Sequence, residues 1–334
     1  MKHANLSFFV PHAGCPHRCS FCDQRAISGS VCSVTPQQVR SQCEKALEHW
    51  RTTSRRGEIA FFGGSFTAIP REQMLSLLEA AAPFVDGETV TGIRCSTRPD
   101  CISPDILALL RSYRVTAVEL GVQSLDNRVL VENSRGHTAE DVRSASALIR
   151  EFGLELGHQM MPGLPGDSPQ EVMQTARGIA LMKPQTVRIY PTLVLRGTQL
   201  AQWYAQGRYV PLSLEETVEL GSRLLEFFEG QGIRVIRLGL HASGEVEENL
   251  LAGPYHPALR ELCESRRLFY RMKAALQELP QGNWEVLVPQ RQLSMAIGQK
   301  RQNIERLGEL GYRVQIRVQE SPGAADIQIR PAAG

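Results

Sequence analysis

Several things are scarce in this 334-residue chain, and each scarcity closes off a class of function. Net charge is nearly absent: 37 basic and 35 acidic residues leave a formal +2, too little for a whole-molecule field, so any affinity for nucleic acid has to be local. Lysine is rare, at Lys2, Lys45, Lys183, Lys273 and Lys300, and the arginines that dominate in its place are scattered rather than gathered into a phosphate-binding patch. No apolar run approaches the ~18 residues of a membrane span, and the start lacks the charged, apolar and small-residue zones of a secretory signal. Cytoplasmic residence with no membrane partner is expected. Low-complexity tracts and fixed-period repeats are missing too. In a reducing compartment, the eight cysteines read as thiols or metal ligands, not as a disulfide framework.

What is present is a repeated βα pattern. Apolar, β-rich runs at 6–10, 58–62, 89–96, 117–123, 154–161 and 186–194 alternate with helical-period stretches at 36–50, 71–82, 104–112, 139–152 and 169–182, several of which open on Thr, Ser or Pro as helix starts do. Six such units predict an α/β fold, a partial (β/α)6 TIM-type barrel, with a helix over 214–229 and a strand near 233–236 completing or flanking it. Strand ends rich in glycine and polar residues, such as Gly63-Gly64-Ser65 and Ser96-Thr97-Arg98-Pro99, fall where barrel chemistry sits. Periodicity fades after Gly244. The expected division is a barrel over 1–243, a helical linker region over 244–281 and a small α/β module over 282–334.

Cys15-Pro16-His17-Arg18-Cys19-Ser20-Phe21-Cys22 sets three thiols at spacings of four and three on the loop after the first strand. Iron-sulfur clusters are usually held by four cysteines, so three local ligands leave one iron open for a further ligand. S-adenosylmethionine (SAM) suits that position through its amine and carboxylate, and an electron passed to its sulfonium yields a 5′-deoxyadenosyl radical. A tetrahedral zinc site completed by His12 or His17 is the other reading of the same residues.

The spacing, with Phe21 just before the last cysteine, resembles the signature of the radical SAM superfamily. That resemblance implies a 4Fe-4S cluster on Cys15, Cys19 and Cys22, with Phe21 beside the cofactors. Gly63, Gly64 and Ser65 resemble the family's glycine motif at the SAM amino group. The stretches 96–100, 119–124, 135–138 and 162–166 resemble the branch containing the catalytic subunit of Elongator and oxygen-independent coproporphyrinogen oxidase, over roughly residues 5–240. They imply further SAM contacts at Ser96, Gln123, Arg135 and Gln159, with Ser96 and Gln159 departing from the acidic residues common in that branch. Polar side chains that merely satisfy strand ends are the plainer reading of each. Cys95 and Cys101, near a strand end, are expected as buried thiols or as acceptors of a transferred group.

Residues 284–318 read as strand, helix, loop, helix, strand, with Gly298, Gln299, Lys300 and Arg301 in the loop. A glycine loop at a helix start suits phosphate binding. The stretch resembles the KH modules of the transcription factor NusA, whose Gly-x-x-Gly loop clamps single-stranded nucleic acid, with Arg301 in the second glycine's place. The alternative is a packing or dimerising appendage. The combined expectation is an enzyme that cleaves SAM reductively and modifies a nucleotide in tRNA or rRNA, served by a reductant such as flavodoxin or ferredoxin. About 70 residues after the barrel are too few for an acetyltransferase domain as well. A small-molecule enzyme of the tetrapyrrole type and a redox-responsive RNA-binding regulator are the rival expectations.

Overall fold

The computed structural model describes residues 3–10, 15, 18–22, 34–240, 244–319 and 327–332. These residues pack as two compact units, Met1–Leu212 with Gln231–Pro254, and Ser213–Gly230 with Tyr255–Gly334. The division falls elsewhere than the expected boundaries at 243 and 281, because the helix over Leu214–Gly230 packs with the second unit while the strand that follows it belongs to the first.

In the first unit, β1 (His3–Val10), α1 (Pro36–Thr52), β2 (Arg56–Gly63), α2 (Arg71–Ala81), β3 (Val90–Thr97), α3 (Pro104–Ser112), β4 (Val115–Gln123), α4 (Asn127–Glu132), α5 (Ala139–Glu151), β5 (Glu155–Met160), α6 (Pro169–Leu181) and β6 (Thr186–Ile189) follow in order. A short β7 (Val194–Leu195) and α7 (Gln199–Ala205) precede α8 (Leu214–Gly230) of the other unit and the returning β8 (Arg234–Leu238). Seven strands form one parallel sheet in the order β1-β2-β3-β4-β5-β6-β8. One face of each strand is apolar, as in β3 and β4, where Ile93, Cys95, Val118, Leu120 and Val122 are fully buried and alternate with Arg94, Ser96 and Glu119. Phe61 of β2 anchors the packing beside β1, stacked between Phe8 at 5.7 Å and Phe66 at 4.8 Å.

Helix starts follow the sequence signals. Thr35 and Thr138 close capping boxes with Gln38 and Asp141, and Ser103 and Ser168 cap helices that open on proline. The expected single strand over 186–194 is broken: Pro191 has no N–H for a ladder, so β6 stops at Ile189 and β7 pairs instead, antiparallel, with β9 (Leu250–Ala252). That strand and α9 (Gly244–Asn249) occupy the stretch where periodicity fades.

In the second unit, α8 and α10 (Leu259–Gln277) lie with β10 (Gly282–Val288), α11 (Leu293–Ile297), α12 (Gln302–Glu309), β11 (Tyr312–Val318) and β12 (Gln328–Pro331). Its sheet runs β11-β10-β12, with β10 parallel to β11 and antiparallel to β12. Leu268, Met272, Val286, Val288, Ala296 and Leu307 form its core. Arg266 joins α10 to α8 through Glu215 at 2.7 Å and Glu219 at 3.0 Å.

Among the described residues no helix is long and apolar enough to cross a membrane.

Candidate active site

Register brings the strand ends of the first unit together. β1 and β2 finish side by side at Val10 and Gly63, and β4 shifts register against β5 between Gly121 and Gln123, where Gln123 takes a φ of 65°. Such a bulge re-aims side chains at the end of a strand. At Gly63, with a φ of 116°, a Cβ would come within 2.8 Å of the Val10 carbonyl, so glycine is required there by the close approach of the neighbouring strand. Gly121 leaves room for its neighbours, since a Cβ would sit 3.1 Å from Gln123 Nε2 and 3.2 Å from Arg135 Nη2.

These ends ring a cavity of about 780 Å³, and Cys15, Cys19 and Cys22 all line it, along with Phe21, Gly63, Gly64, Ser96, Gln123, Arg135 and Gln159. Of the expected site residues in this unit, Ser65 does not line it. Its hydroxyl is spent instead on Thr97 at 2.7 Å and on the Arg98 amide at 3.2 Å. Burial pushes the Cys15 thiol up, and the backbone amide of Ser65 opposes that shift. His12, His17 and Cys32 lie outside the described residues.

One residue that sequence patterns did not single out holds the cysteine loop. Fully buried Asn133, just past α4, accepts from Ser20 Oγ at 2.6 Å and donates to the carbonyls of Val129 at 2.8 Å and Pro165 at 3.0 Å. The Ser20 amide donates to Asn133 O at 3.2 Å, and Ser20 O accepts from the Leu200 amide at 2.8 Å. The turn from Cys19 to Cys22 is closed by the Cys22 amide donating to Cys19 O at 3.1 Å. Phe21 packs against Val194, Leu200 and Tyr209. Since Ser20 and Asn133 are 113 residues apart, no local pattern announces the pair.

The cavity's electrostatics are specific. Arg135 donates through Nη1 to Cys19 Sγ at 3.2 Å and through Nη2 to Gly121 O at 2.7 Å, which sets a buried positive charge against one of the three sulfurs. Three buried polar atoms of lining residues have no protein partner: Arg98 Nη1, Gln123 Oε1 and Arg135 Nε. Buried polar groups are ordinarily satisfied, so such orphans mark the outline of a polar, charged ligand. Among the described residues no three Cys, His, Asp or Glu side chains gather tightly enough for a single metal ion. A four-iron cluster takes one thiolate per iron, so its ligands ring a larger body. Three thiols around one cavity, together with unpaired donors and an acceptor, fit a 4Fe-4S cluster with SAM beside it.

Cys95 and Cys101 line neither this cavity nor its neighbour. On β3, Arg94 and Ser96 face the cavities, so Cys95 points the other way, and burial pushes its thiol up to about 12.

The sequence profile of the radical SAM superfamily matches residues 9–179, and that of the radical SAM C-terminal domain matches residues 184–268. The chain belongs to the radical SAM superfamily. It is a radical SAM enzyme, and the cofactors of that family are a 4Fe-4S cluster and SAM. It is similar to an uncharacterized protein of Methanocaldococcus jannaschii, 30% identical over 224 residues that cover 64% of this chain and 68% of that one. It is also similar to the tRNA uridine(34) acetyltransferase of Dehalococcoides mccartyi, 28% identical, over 59% of this chain and 50% of that protein, so it spans half the length of that relative. The fold is that of the archaeal Methanocaldococcus infernus Elp3, at a TM-score of 0.61 and 22% identity, over 82% of this chain and 63% of that one. The expected partial barrel and its branch within this radical SAM family stand. The observed sheet adds β8 as a seventh strand.

Below the first cavity lies a second, of about 1080 Å³, inside the curve of the sheet. An ion network built from inward positions of five strands lies along it. Arg94 donates to Glu58 at 3.0 Å, Glu119 at 3.3 Å and Glu155 at 2.9 Å, and Arg188 clamps Glu119 at 2.6 and 2.9 Å. Burial raises the Glu119 carboxyl, but Arg188 first and then Arg94 outweigh it and hold the group below the usual carboxylate range. Gln159 joins the network to the first cavity, donating to Glu119 at 3.0 Å and to Ser96 at 3.1 Å. A charged residue at alternate positions of an otherwise apolar strand was the available signal for Arg94, Glu119 and Arg188.

In the second unit, Gly298 is buried at φ 78°, and Gln299, Lys300 and Arg301 are exposed between α11 and α12. Lys300 and Arg301 both take left-handed backbone, at φ 52° and 64°. Asn303 braces the loop, donating to Ala296 O at 3.1 Å and Ser265 Oγ at 3.0 Å.

Proposed function

We propose that this radical SAM enzyme modifies a nucleotide in RNA, with tRNA the first candidate and rRNA the second. The observation that carries the proposal is the ring of three thiols and unpartnered polar atoms around one cavity. In this reading Cys15, Cys19 and Cys22 hold the 4Fe-4S cluster, and Arg135 stabilises the Cys19 thiolate from 3.2 Å. Ser96, Gln123, Arg135 and Gln159 meet SAM with Gly63, Gly64 and Phe21 as neighbours, and Ser65 supports the loop from behind. When bound, the reduced cluster and SAM supply a 5′-deoxyadenosyl radical. The protein's part is to orient SAM against the open iron, with buried Asn133 bonded to Ser20 and buried Arg135 to Cys19 beside it.

An RNA substrate is supported by the similarity to tRNA uridine(34) acetyltransferases and by the second unit, where two parallel strands flank two helices joined by Gly298-Gln299-Lys300-Arg301. That β-α-α-β order with a basic loop is the layout of a KH-like module, and Lys300 and Arg301 are its phosphate contacts in this reading. A flavodoxin- or ferredoxin-type protein is the proposed reductant.

Anaerobically reconstituted protein given SAM and a chemical reductant is expected to release 5′-deoxyadenosine. Nucleoside mass spectrometry of tRNA and rRNA from cells with and without the gene is expected to differ by at least one modified nucleoside. Absence of SAM cleavage would favour a regulator; cleavage with unchanged RNA would favour a small-molecule substrate.

A further inference from the structure

The second cavity is a site in its own right. It shares Phe21, Cys22, Gly63, Ser96 and Gln159 with the cavity that holds the thiols, so a ligand inside it abuts whatever those thiols bind. Its volume of about 1080 Å³ stands at the top of the range of small-molecule sites, ~300–1,000 Å³.

Its lining favours one chemistry over another. The Arg188 guanidinium lies over the Phe62 ring at 5.0 Å, pinned by Glu119, so the two form a fixed flat stack in the wall. Tyr190 lines the same wall. All three nitrogens of Arg94 are committed to carboxylates, and Arg188 commits Nε and Nη2 to Glu119. The lining therefore sets Glu58 and Glu155 beside the guanidiniums of Arg94 and Arg188, with Glu119 bonded to both arginines, and the remaining cation of the lining, Arg234, is exposed. A phosphate entering here would find every Arg94 nitrogen and two of the three Arg188 nitrogens already committed to carboxylates, in a network of three carboxylates and two guanidiniums. A flat, uncharged ring with polar edges meets no such opposition: it stacks on an arginine or aromatic plane, the way proteins bind single bases, and finds Ser96 and Gln159 at its edge.

We propose that this cavity is the acceptor pocket and that it takes a neutral planar nitrogen heterocycle, an RNA base turned out of its strand and stacked on the Arg188–Phe62 pair, with the phosphates left outside. The assignment rests on the RNA reading above. Extruding a base from its stack is the usual way an enzyme reaches an atom that stacking hides.

The test is calorimetric titration of the full-length, cluster-reconstituted protein with the four nucleosides, their 5′-monophosphates and inorganic phosphate, in wild type and in Phe62→Leu. At least one nucleoside is expected to bind, its monophosphate no more tightly, and Phe62→Leu to weaken the nucleoside about fivefold or more. Phe62 does not line the first cavity, so the affinity for SAM and the circular dichroism spectrum are expected to hold in the variant. Tenfold tighter binding of the monophosphate or of phosphate alone would make this an anion site and overturn the proposal. So would failure of every nucleoside to bind, or an affinity untouched by Phe62→Leu. The two readings separate cleanly: nucleoside binding with unaltered cellular RNA sinks the RNA reading and keeps the pocket, whereas altered RNA with no nucleoside binding sinks the pocket alone.

Discussion

Replacing Asn133 by alanine tests whether the cysteine loop is held from a distance. The side chain is fully buried and makes three hydrogen bonds, one accepted from Ser20 Oγ and two donated to the carbonyls of Val129 and Pro165. Val129 O keeps the Asn133 backbone N–H as a donor, so the loss falls on the Ser20 hydroxyl and on Pro165 O. Leaving a buried polar group without its partner costs about 1–3 kcal/mol, which puts Asn133→Ala near 3 kcal/mol for the two together. In a unit of this size each kcal/mol moves the melting temperature by about 2–4 °C, so a fall of about 6–12 °C is expected in iron-free protein. Asn133→Asp keeps the acceptor for Ser20 but turns a carboxylate toward two carbonyls, and it is expected to be at least as damaging. The assay is thermal melting by circular dichroism, paired with iron content after reconstitution, which is expected to fall as the loop loosens. A melting shift below about 2 °C with full iron loading would refute the reasoning.

Further predictions concern the thiols, the buried charges and the basic loop. Cys15→Ser, Cys19→Ser and Cys22→Ser are each expected to abolish stable cluster loading, read as loss of iron and of the visible charge-transfer band, while the fold persists. Glu119→Gln removes the one carboxylate shared by both buried arginines and is expected to cost about 3–5 kcal/mol in urea unfolding, against under 1 kcal/mol for an exposed ion pair. Burial pushes the Asp167 carboxyl from 3.8 up to about 7. The folded chain therefore keeps a proton that the unfolded chain has lost across that window, so the group's contribution is full below about pH 4 and drains away as pH rises to about 7. Asp167→Asn is expected to flatten that slope in pH-dependent melting, and an unchanged slope would exclude Asp167 as its source. Lys300→Ala with Arg301→Ala is expected to weaken RNA binding uniformly across sequences and to lower the slope of log affinity against log salt by about 2, measured by filter binding on the full chain.

Much of the fold was legible because its signals are local. Capping residues such as Thr35, Ser103, Thr138 and Ser168 announce helix starts within four residues, and the apolar runs of β2 to β5 announce buried parallel strands. Pro191 was visible as well, yet only the pairing of Val194 with Ala252 reveals that the chain leaves the sheet there for another ribbon. The allegiance of α8 was not legible: an amphipathic helix says that it covers a core, not which one, and Arg266, some fifty residues on, makes the choice. In the site, cysteine spacing and the glycine and glutamine motifs located one cavity from the sequence. Asn133 and the Glu119 network escaped, because their meaning lies in contacts between residues 25 to 113 positions apart. Arg301 stood out as a departure from the expected glycine, and its φ of 64° says why glycine is favoured there, since a side chain in that backbone region costs about 1–2 kcal/mol.

The sheet runs from β1 to β8 without pairing its two edges among the described residues, so backbone hydrogen bonds alone do not fix how tightly it curls. Arg94 and Arg188, reaching carboxylates on β2, β4 and β5, act as spokes drawn toward a hub, and they set the span of an arc that has no closing seam. Ions in the surrounding solution barely screen so deep a tether, and each spoke resists gaping in its own direction. An open edge can in this way coexist with strand tips that keep their mutual spacing.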